Sequence, residues 1–211
     1  MMLRSFPRIL VCVMVATAAA GCARQGFDAP ERRLIAESRG GMMRVLTIAD
    51  RSDSLFLRRS ATPLTAEAVH SREFAQLCRS MLATVRNPEN EGVGIAAPQV
   101  GISRRLVAVQ RFDKPGEPFE VYVNPEIVRM SDSVALGPEG CLSVPDLYGR
   151  VERAQEIGLS YRDTAFVERT ETVRGYTAVI FQHEIDHLDG VLYIDRLVGA
   201  PLRPHAAPQE K

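Results

Sequence analysis

Two histidines and one glutamate have a spacing that could bind a metal ion and activate water. His183, Glu184 and His187 lie within the segment Gln182 to His187. On a helix, the two histidines would lie one turn apart on the same face, where both imidazoles can bind one ion. Glu184 would lie beside His183, where its carboxylate can act on water without being a ligand. This HExxH arrangement indicates metal-assisted hydrolysis.

A catalytic metal site of this kind usually has three protein ligands, so one ligand is missing from the motif. Metzincin proteases have a third histidine at the place that Tyr193 occupies here. Thermolysin-like proteases use a glutamate further along the chain, and Glu210, in a proline-containing tail, is the only glutamate after the motif. Both protease patterns fit poorly, and the third ligand must come from elsewhere in the chain.

The elements around the motif are predicted from hydrophobic periodicity. The segment from Tyr176 contains no proline, so a helix of about three to four turns is expected to end at Gly190. A second helix is expected to begin after Ser71 and to end before Asn87-Pro88. Strands are predicted at Val45–Ile48, Leu106–Gln110, Phe119–Val123, Ile127–Met130, Glu156–Tyr161 and Glu168–Val173. The expected fold class is α+β, with short antiparallel strands framing a central HExxH helix.

Composition is consistent with one globular domain and does not point to a nucleic acid partner. The chain has 211 residues, of which 45% are hydrophobic and 25% charged. Its 26 basic residues balance 26 acidic ones, so the overall charge does not indicate nucleic acid binding.

The N-terminus has the charge pattern of an export signal. Arg4 and Arg8 precede the apolar run Ile9 to Ala20, which is too short to span a membrane comfortably. The run ends at a lipobox-like sequence before Cys22. We therefore expect a signal peptide at residues 1–21, a membrane anchor on lipid-modified Cys22 and a polar tether over residues 22–42.

Two alternatives remain open for this region, and they change the expected location. The run could be an ordinary signal peptide, or translation could start at Met42 or Met43. A start at Met1 predicts an exported or membrane-anchored protein. A start at Met42 or Met43 predicts a cytoplasmic one.

The four cysteines do not form a recognisable disulfide pattern. Cys12 lies in the apolar run, Cys22 at the expected cleavage site, and Cys78 on the apolar face of a predicted helix. Cys78 is therefore interpreted as a packing residue. Cys141 lies in a predicted loop, Glu139 to Pro145, where a buried and inert thiol is the simplest alternative to a functional one.

Small residues surround a single amide in the segment Gly92 to Gly101. Two glycines and two alanines precede Gln99, so the backbone there can approach a ligand closely. The segment lacks the lysine of a phosphate-binding loop, which argues against a nucleotide. A tight turn leading into Leu106 would explain the composition equally well.

Three separated motifs together resemble those of peptide deformylases. They are GxGxAAxQ at Gly92 to Gln99, EGCLS at Glu139 to Ser143, and QHExDH at Gln182 to His187. The resemblance runs from about Met43 to Leu197, and we expect a catalytic domain at residues 43–198 and a flexible tail at 199–211. It implies a monomeric, metal-dependent hydrolase that removes the formyl group from an N-formyl-Met peptide or nascent chain and releases formate.

The resemblance also implies roles for particular residues. It assigns the third metal ligand to Cys141, beside His183 and His187, and implies Fe(II), although zinc, nickel or cobalt suits the same ligands. Glu184 is the implied acid and base. The backbone N–H of Leu142 and the side-chain amide of Gln99 are the implied donors to the oxyanion.

Substrate contacts are expected at the first motif and on the metal helix. Gly94 and Ile95 are expected to offer backbone groups to an extended peptide. A pocket for the methionine side chain is predicted, unless its residues only pack the core; they are Val144, Tyr148, Val179 and Ile180.

Around the ligands, Glu139, Asp186 and Asp189 are candidate partners of the histidines, and Arg153 could pair with one of these carboxylates. Two other functions remain possible from sequence: an exported HExxH metallopeptidase, and a metal-binding lipoprotein without activity.

Overall fold

The computed structural model describes residues 26–90, 92–199 and 203–204. The predicted signal peptide and Cys22 lie outside the described residues, as does most of the predicted C-terminal tail. Within the described part, no helix combines the length and the apolar character needed to cross a membrane.

The described residues form two groups of regular elements. The helices are α1 (Ala29–Ser38), α2 (Arg51–Leu57), α3 (Ala66–Val69), α4 (Arg72–Val85) and α5 (Gly175–Leu188), with 3₁₀ turns at Ala97–Val100 and Tyr193–Arg196. The strands are β1 (Gly94–Ala96), β2 (Leu106–Gln110), β3 (Phe119–Met130), β4 (Val134–Cys141), β5 (Val144–Ala154), β6 (Glu156–Arg162), β7 (Glu168–Arg174) and β8 (Arg203–Pro204).

The strands form two antiparallel sheets. The larger sheet has the order β1-β2-β3-β6-β7, and the smaller has the order β4-β5-β8. The predicted α+β class with antiparallel strands is therefore confirmed. Strand β1 lies at an edge of the larger sheet.

The larger sheet is covered on both faces. Leu106 and Ala108 of β2 pack in a core with α1 and α4, whereas Val107 and Val109 pack in a second core with α5. Successive strand side chains point to opposite faces, so a strand covered on both sides is apolar at every position. This explains the uninterrupted apolar run of β2 and places α5 firmly against the sheet.

Helix α4 agrees with its prediction. It spans Arg72–Val85, and the hydroxyl of Ser71 accepts the N–H of Phe74 as an N-cap. Cys78 packs against the core beside it, as expected for a packing residue.

Three predicted elements need correction. Val45–Ile48 is not a strand; its N–H groups instead bond to single carbonyls, from Leu46 to Gln99 (2.7 Å) and from Ile48 to Ser143 (2.9 Å). The two strands expected at 119–123 and 127–130 are one strand, β3, because Asn124 takes a left-handed conformation (φ 49°) and the strand continues past it with a shifted register.

The third correction concerns the predicted loop at 139–145. Its ends belong to strands β4 and β5, so the connection shrinks to Leu142 and Ser143. Glycine and proline in this segment hid the strand pattern. As a result, Cys141 stands at a strand end and is held more firmly than a loop residue would be.

Part of the predicted tether is helix α1. Asp28 and Glu31 form a reciprocal capping box, and Ile35 is 1% exposed. The carboxylate of Glu31 binds Arg104 with two hydrogen bonds (2.7 and 2.8 Å). An unstructured tether is therefore wrong for residues 29–38, because the polar residues that suggested it cap the helix and form a buried ion pair.

Helix α5 ends in a glycine-dependent turn. The N–H of Val191 bonds to the carbonyl of Asp186 and that of Gly190 to the carbonyl of His187, which is a Schellman motif. Gly190 has φ 75°, and a Cβ there would lie 2.6 Å from the carbonyl oxygen of Arg58. Glycine at this position therefore allows the chain to turn close to α2.

Candidate metal centre

Three potential metal ligands converge between the two sheets. Cys141 is the last residue of β4, while His183 and His187 lie one turn apart on α5. One ligand atom from each lies within 4.8 Å of the others, and Cys141 Sγ is 3.2 Å from His187 Nε2. Cys141 is more than forty positions from either histidine along the chain, yet the three residues form one compact set of donors.

The ring of His183 is held from two sides. Its Nδ1 is 2.8 Å from Oε2 of Glu139, which leaves Nε2 for a ligand. The ring also stacks against Tyr193, with centroids 6.1 Å apart and planes 21° apart. The orientation of His183 is therefore set before any ion binds.

A network of buried charges stands behind His183. Arg153 binds both carboxylate oxygens of Glu139 (2.7 and 3.0 Å) and one oxygen of Asp186 (2.6 Å). Arg196 binds Asp186 from the other side (2.6 and 2.7 Å). Burial alone would raise the pKa of Glu139, but His183 and Arg153 lower it to about 2. Glu139 is therefore a carboxylate that keeps accepting from His183.

The sulfur of Cys141 lies in surroundings that favour the thiolate. Burial opposes its ionisation, but the imidazoles of His187 and His183 hold the pKa of the thiol well below its usual value. The N–H of Ser143 also donates to the sulfur at 3.4 Å. A thiolate is the form of cysteine that binds metals.

Gln99 is oriented by its own turn. Its Oε1 accepts the N–H of Ala96 at 2.8 Å, which directs Nε2 towards Cys141 Sγ (3.6 Å) and Ser143 Oγ (3.3 Å). The side chain is 2% exposed. Gln99 therefore presents an N–H donor beside the ligand cluster.

Glu184 is a buried carboxyl group with an unpartnered oxygen atom. It is 4% exposed, and its Oε2 has no hydrogen-bond partner among the described residues. Burial raises its pKa to about 7, against the opposing effect of His183 and His187. Such a group can both accept and release a proton near neutral pH.

The donor set fits a divalent metal ion. One thiolate and two imidazoles are suitable ligands for zinc, iron, nickel or cobalt, and three protein ligands leave a position for water or substrate. The unpartnered oxygen of Glu184 lies on the same helix as two of the donors. Cys141, His183 and His187 could therefore hold a catalytic ion.

A cavity of about 480 Å³ opens onto these groups. The predicted substrate residues Gly94, Val144, Val179 and Ile180 line it, together with Gln99, Leu142 and Glu184. A larger cavity of about 580 Å³ lies between α1 and α2, but its lining contains neither histidine nor cysteine. The smaller cavity is therefore the candidate active site.

Residues 42–201 match the family model described as polypeptide deformylase. The chain belongs to the peptide deformylase family. A peptide deformylase of Leptospira biflexa is 40% identical over 153 residues, which cover 69% of this chain and 84% of that relative. A crystal structure of the class I type b peptide deformylase from Acinetobacter baumannii, named as bound to Met-Ala-Ser, has a TM-score of 0.67 and 38% identity, covering 75% of this chain and 99% of that one. The Thermotoga maritima peptide deformylase has a TM-score of 0.64 and 34% identity, with the same coverage.

The three deformylase motifs meet around the cavity. GxGxAAxQ supplies Gly94 and Gln99, EGCLS supplies Cys141 and Leu142, and QHExDH supplies His183 and Glu184. His187, from the same motif, completes the ligand cluster without lining the cavity. The fold therefore brings together three segments that lie far apart in this sequence.

Two residues expected at the substrate site do not line the cavity. The side chain of Ile95 is buried in the core with α4, and the expected contact of its backbone with an extended peptide stays a prediction. Tyr148 does not line the cavity; it lies opposite Gly140 and Arg203 in the smaller sheet. Leu147, its neighbour in β5, lines the cavity instead.

Sequence reasoning also missed or misplaced residues around the ligands. Asp189 pairs with Arg105 rather than with a histidine, and Arg196 and Tyr193 were not foreseen. Tyr193 had been considered only as the place where a third histidine was absent. Arg153 was anticipated as a partner of the carboxylates, although without a choice between them.

Proposed function

We propose that this protein is a peptide deformylase, which hydrolyses the formamide bond of N-formyl-Met peptides and releases formate. The observation that carries the proposal is the convergence of Cys141, His183 and His187 beside the buried carboxyl group of Glu184, whose Oε2 has no hydrogen-bond partner among the described residues. Membership in the family and similarity to structures named as deformylases support it. The products are formate and a peptide with a free amino group.

The proposed ligands of the ion are Cys141, His183 and His187. A divalent ion bound there would supply Lewis-acid activation of water and of the formyl carbonyl. We propose Fe(II) from the family resemblance, and the same donors suit zinc, nickel and cobalt. Glu139 and Tyr193 keep His183 in a binding orientation.

The proposed proton carrier is Glu184. The oxygen of water bonds to the formyl carbon while Glu184 accepts a proton from that water, and the carbon–nitrogen bond then breaks as the proton passes to the leaving nitrogen. A carboxyl pKa of about 7 suits both halves of this transfer. Helix α5 thus positions the base together with two of the three ligands, His183 and His187.

The negative charge that develops on the formyl oxygen needs hydrogen-bond donors. Gln99 Nε2 is already directed at the ligand cluster, and Leu142 follows Cys141 in the cavity wall. The amide of Gln99 and the backbone N–H of Leu142 are the proposed donors. Donors fixed in advance do not need to reorganise during the reaction.

The proposed peptide site runs along the free edge of β1. Gly94 lies on this edge beside Glu184, so an extended substrate can add to the sheet there. Val144, Val179 and Ile180 give the cavity an apolar part that suits a methionine side chain. The crowding of small residues near Gln99 favours a formyl hydrogen over an acetyl methyl group.

Formate release tests the proposal directly. Formyl-Met-Ala-Ser, acetyl-Met-Ala-Ser and unmodified Met-Ala-Ser-containing peptides would be incubated with the enzyme, and formate and new amino groups measured separately. We expect formate from the formyl peptide only, and its loss in Glu184→Ala. New amino groups inside unmodified peptides would favour the metallopeptidase, and the absence of both products would favour the inactive metal-binding protein.

The location of the enzyme stays a proposal from the sequence. A lipid on Cys22 would attach the protein to a membrane, whereas translation from Met42 or Met43 would yield a cytoplasmic protein. Cys22 lies outside the described residues, whereas Met42 and Met43 lie within them. Mass analysis of the N-terminus of the native protein distinguishes a lipidated Cys22 from either alternative start.

A further inference from the structure

Segment 43–48 connects two parts of the site, although none of its residues lines the active-site cavity. The N–H of Leu46 donates to the carbonyl of Gln99 (2.7 Å), and the N–H of Ile48 donates to the carbonyl of Ser143 (2.9 Å). Gln99 and Ser143 are also joined directly, because Nε2 of Gln99 donates to Oγ of Ser143 (3.3 Å). These three hydrogen bonds form a closed ring that ties both acceptors to one segment.

The ring passes through both proposed oxyanion donors or their immediate neighbours. Gln99 carries one donor on its own side chain, and Leu142, whose backbone N–H is the other, directly precedes Ser143 in the chain. Ile48 also packs against the same apolar cluster as the proposed ligand Cys141. A shift of segment 43–48 would therefore move the two donors relative to each other.

Segment 43–48 is held at both of its ends. Its first N–H donates to the hydroxyl of Thr84 in α4 (2.9 Å). Towards its other end, the carboxylate of Asp53 accepts the N–H of Thr47 (3.2 Å) and two hydrogen bonds from the guanidinium group of Arg44 (2.6 and 2.8 Å). One carboxylate thus fixes the backbone and a side chain of the segment together.

The carboxylate of Asp53 is not needed to begin its own helix. Asp53 lies in the first turn of α2, where its N–H is accepted by the N-cap residue Asp50 (3.0 Å). Asp53 is nevertheless 4% exposed, and its side chain is bonded to segment 43–48. Its burial therefore supports the segment rather than the cap of α2.

We infer that Asp53 is a positioning residue of the proposed deformylase reaction. Through segment 43–48 it fixes the turn that carries Gln99 relative to the connection that carries Leu142. This inference rests on the proposed function. Oxyanion donors lower the barrier only when they are directed at the place where charge develops, and a displacement of about 1 Å can reduce a rate about 100-fold. Asp53 does not line the active-site cavity, so it acts through the residues that it holds.

Kinetics on formyl-Met-Ala-Ser would compare the metal-containing wild type with two variants. Asp53→Ala removes every acceptor of the side chain, whereas Asp53→Asn keeps one carbonyl oxygen for the N–H of Thr47. We expect kcat to fall about tenfold with alanine and about threefold with asparagine, while KM and metal content stay close to wild type. Glu31→Ala is the matched control, because it removes a buried carboxylate that binds an arginine outside segment 43–48. It should lower the free energy of unfolding and leave kcat unchanged.

Two further measurements distinguish positioning from a general loss of stability. In the Gln99→Leu background one of the two positioned donors is already absent, so Asp53→Ala should lower kcat by no more than about threefold further. Hydrogen exchange of the Leu46 and Ile48 amides should accelerate in Asp53→Ala but not in Glu31→Ala. All variants would be assayed at a temperature at which each is folded. If Asp53→Ala does not fold, Asp53→Asn takes its place in both measurements.

The outcomes separate this inference from the function on which it rests. A wild-type kcat in the Asp53 variants, an equal loss in both backgrounds, or unchanged exchange of the two amides would overturn the positioning role alone. A loss of kcat in Glu31→Ala as large as in Asp53→Ala would also overturn it. No formate from the wild-type enzyme would overturn the proposed function and, with it, this inference.

Discussion

The backbone of Gly94 lies against the carboxyl group of Glu184. A Cβ at residue 94 would stand 2.4 Å from Oε1 and 2.9 Å from both Cγ and Cδ of that side chain. Gly94 is paired with Val109 in the larger sheet, and Glu184 belongs to α5, which packs against that sheet. The glycine therefore leaves the space in which the proposed base can lie.

Gly94→Ala is expected to move the carboxylate and to slow the reaction while the fold persists. A displacement of about 1 Å in a reacting group can reduce a rate about 100-fold, and we expect a fall of this size in kcat. Formate release and thermal unfolding would be measured together. Gly137→Ala is the matched control because a Cβ there has no atom within 4 Å. A kcat close to wild type in Gly94→Ala would show that the Glu184 carboxylate can move away from the added methyl group without loss of activity.

Gln99→Leu tests the proposed oxyanion donor. Leucine keeps the bulk of the side chain but removes Nε2, so the barrier should rise by about 3 to 4 kcal/mol, which is roughly 10² to 10³ in kcat. The bound metal should be retained, since Gln99 is not a proposed ligand, and elemental analysis would establish this. An unimpaired kcat with a full complement of metal would remove Gln99 from the mechanism.

Removal of one ligand should abolish both metal binding and activity. We expect one divalent ion per chain in the native enzyme and much less in Cys141→Ala, measured by elemental mass spectrometry. Cys78→Ala is the matched cysteine control: burial raises the pKa of the Cys78 thiol to about 12, so it stays protonated and is not a ligand. Full metal content in Cys141→Ala would mean that the ion binds elsewhere.

The charge network behind His183 is expected to contribute to stability as well as to orientation. Arg153→Met leaves Glu139 and Asp186 buried with fewer partners, and breaking such a buried pair costs about 3 to 5 kcal/mol. Urea denaturation would measure the loss. Arg150→Met, on the same strand but exposed, should cost little. Equal stability of the two variants would argue that water replaces the lost partners of Glu139.

The sequence was most informative where chemistry restricts residue type. His183, Glu184 and His187 could be recognised because two ligands and a carboxylate on one helix have a defined spacing. Helix α4 was predictable because a polar cap, an apolar stripe and a terminating Asn-Pro all agree. Cys141 became a candidate ligand only through the family resemblance, since no local pattern relates it to α5.

The structure departs from sequence expectations where distant contacts decide the outcome. Leu147 lines the cavity and its neighbour Tyr148 does not, and residue type alone does not indicate which of two adjacent residues reaches a cavity. The segment at Val45–Ile48 has strand-like residues but belongs to no strand, and its hydrogen bonds to the carbonyls of Gln99 and Ser143 are isolated ones. Helix α1 was overlooked because its polar residues gain partners, such as Arg104, that lie far away in the sequence.

Helix α1 precedes the residues that match the family model, yet it packs as part of the same domain. Phe27 and Ile35 are 4% and 1% exposed, and they share a core with α4 and β2. Arg104 binds Glu31 and also the carbonyl of Gly26. A chain that begins at Met42 would lack all of these contacts.

We therefore expect a chain beginning at Met42 to be less stable than one beginning at Gly26. Burial of Phe27 and Ile35 is worth about 1.5 to 3 kcal/mol each, so the loss should approach 5 kcal/mol, a large part of the stability of a typical domain. Urea denaturation of the two chains measures the difference. Within the longer chain, Glu31→Ala should be destabilising because it leaves the buried Arg104 without its carboxylate, whereas Glu37→Ala, on the exposed side of the same helix, should not. Equal free energies of unfolding for the two chains would mean that packing of α1 does not stabilise the domain. Translation from Met42 could then still produce a stable enzyme.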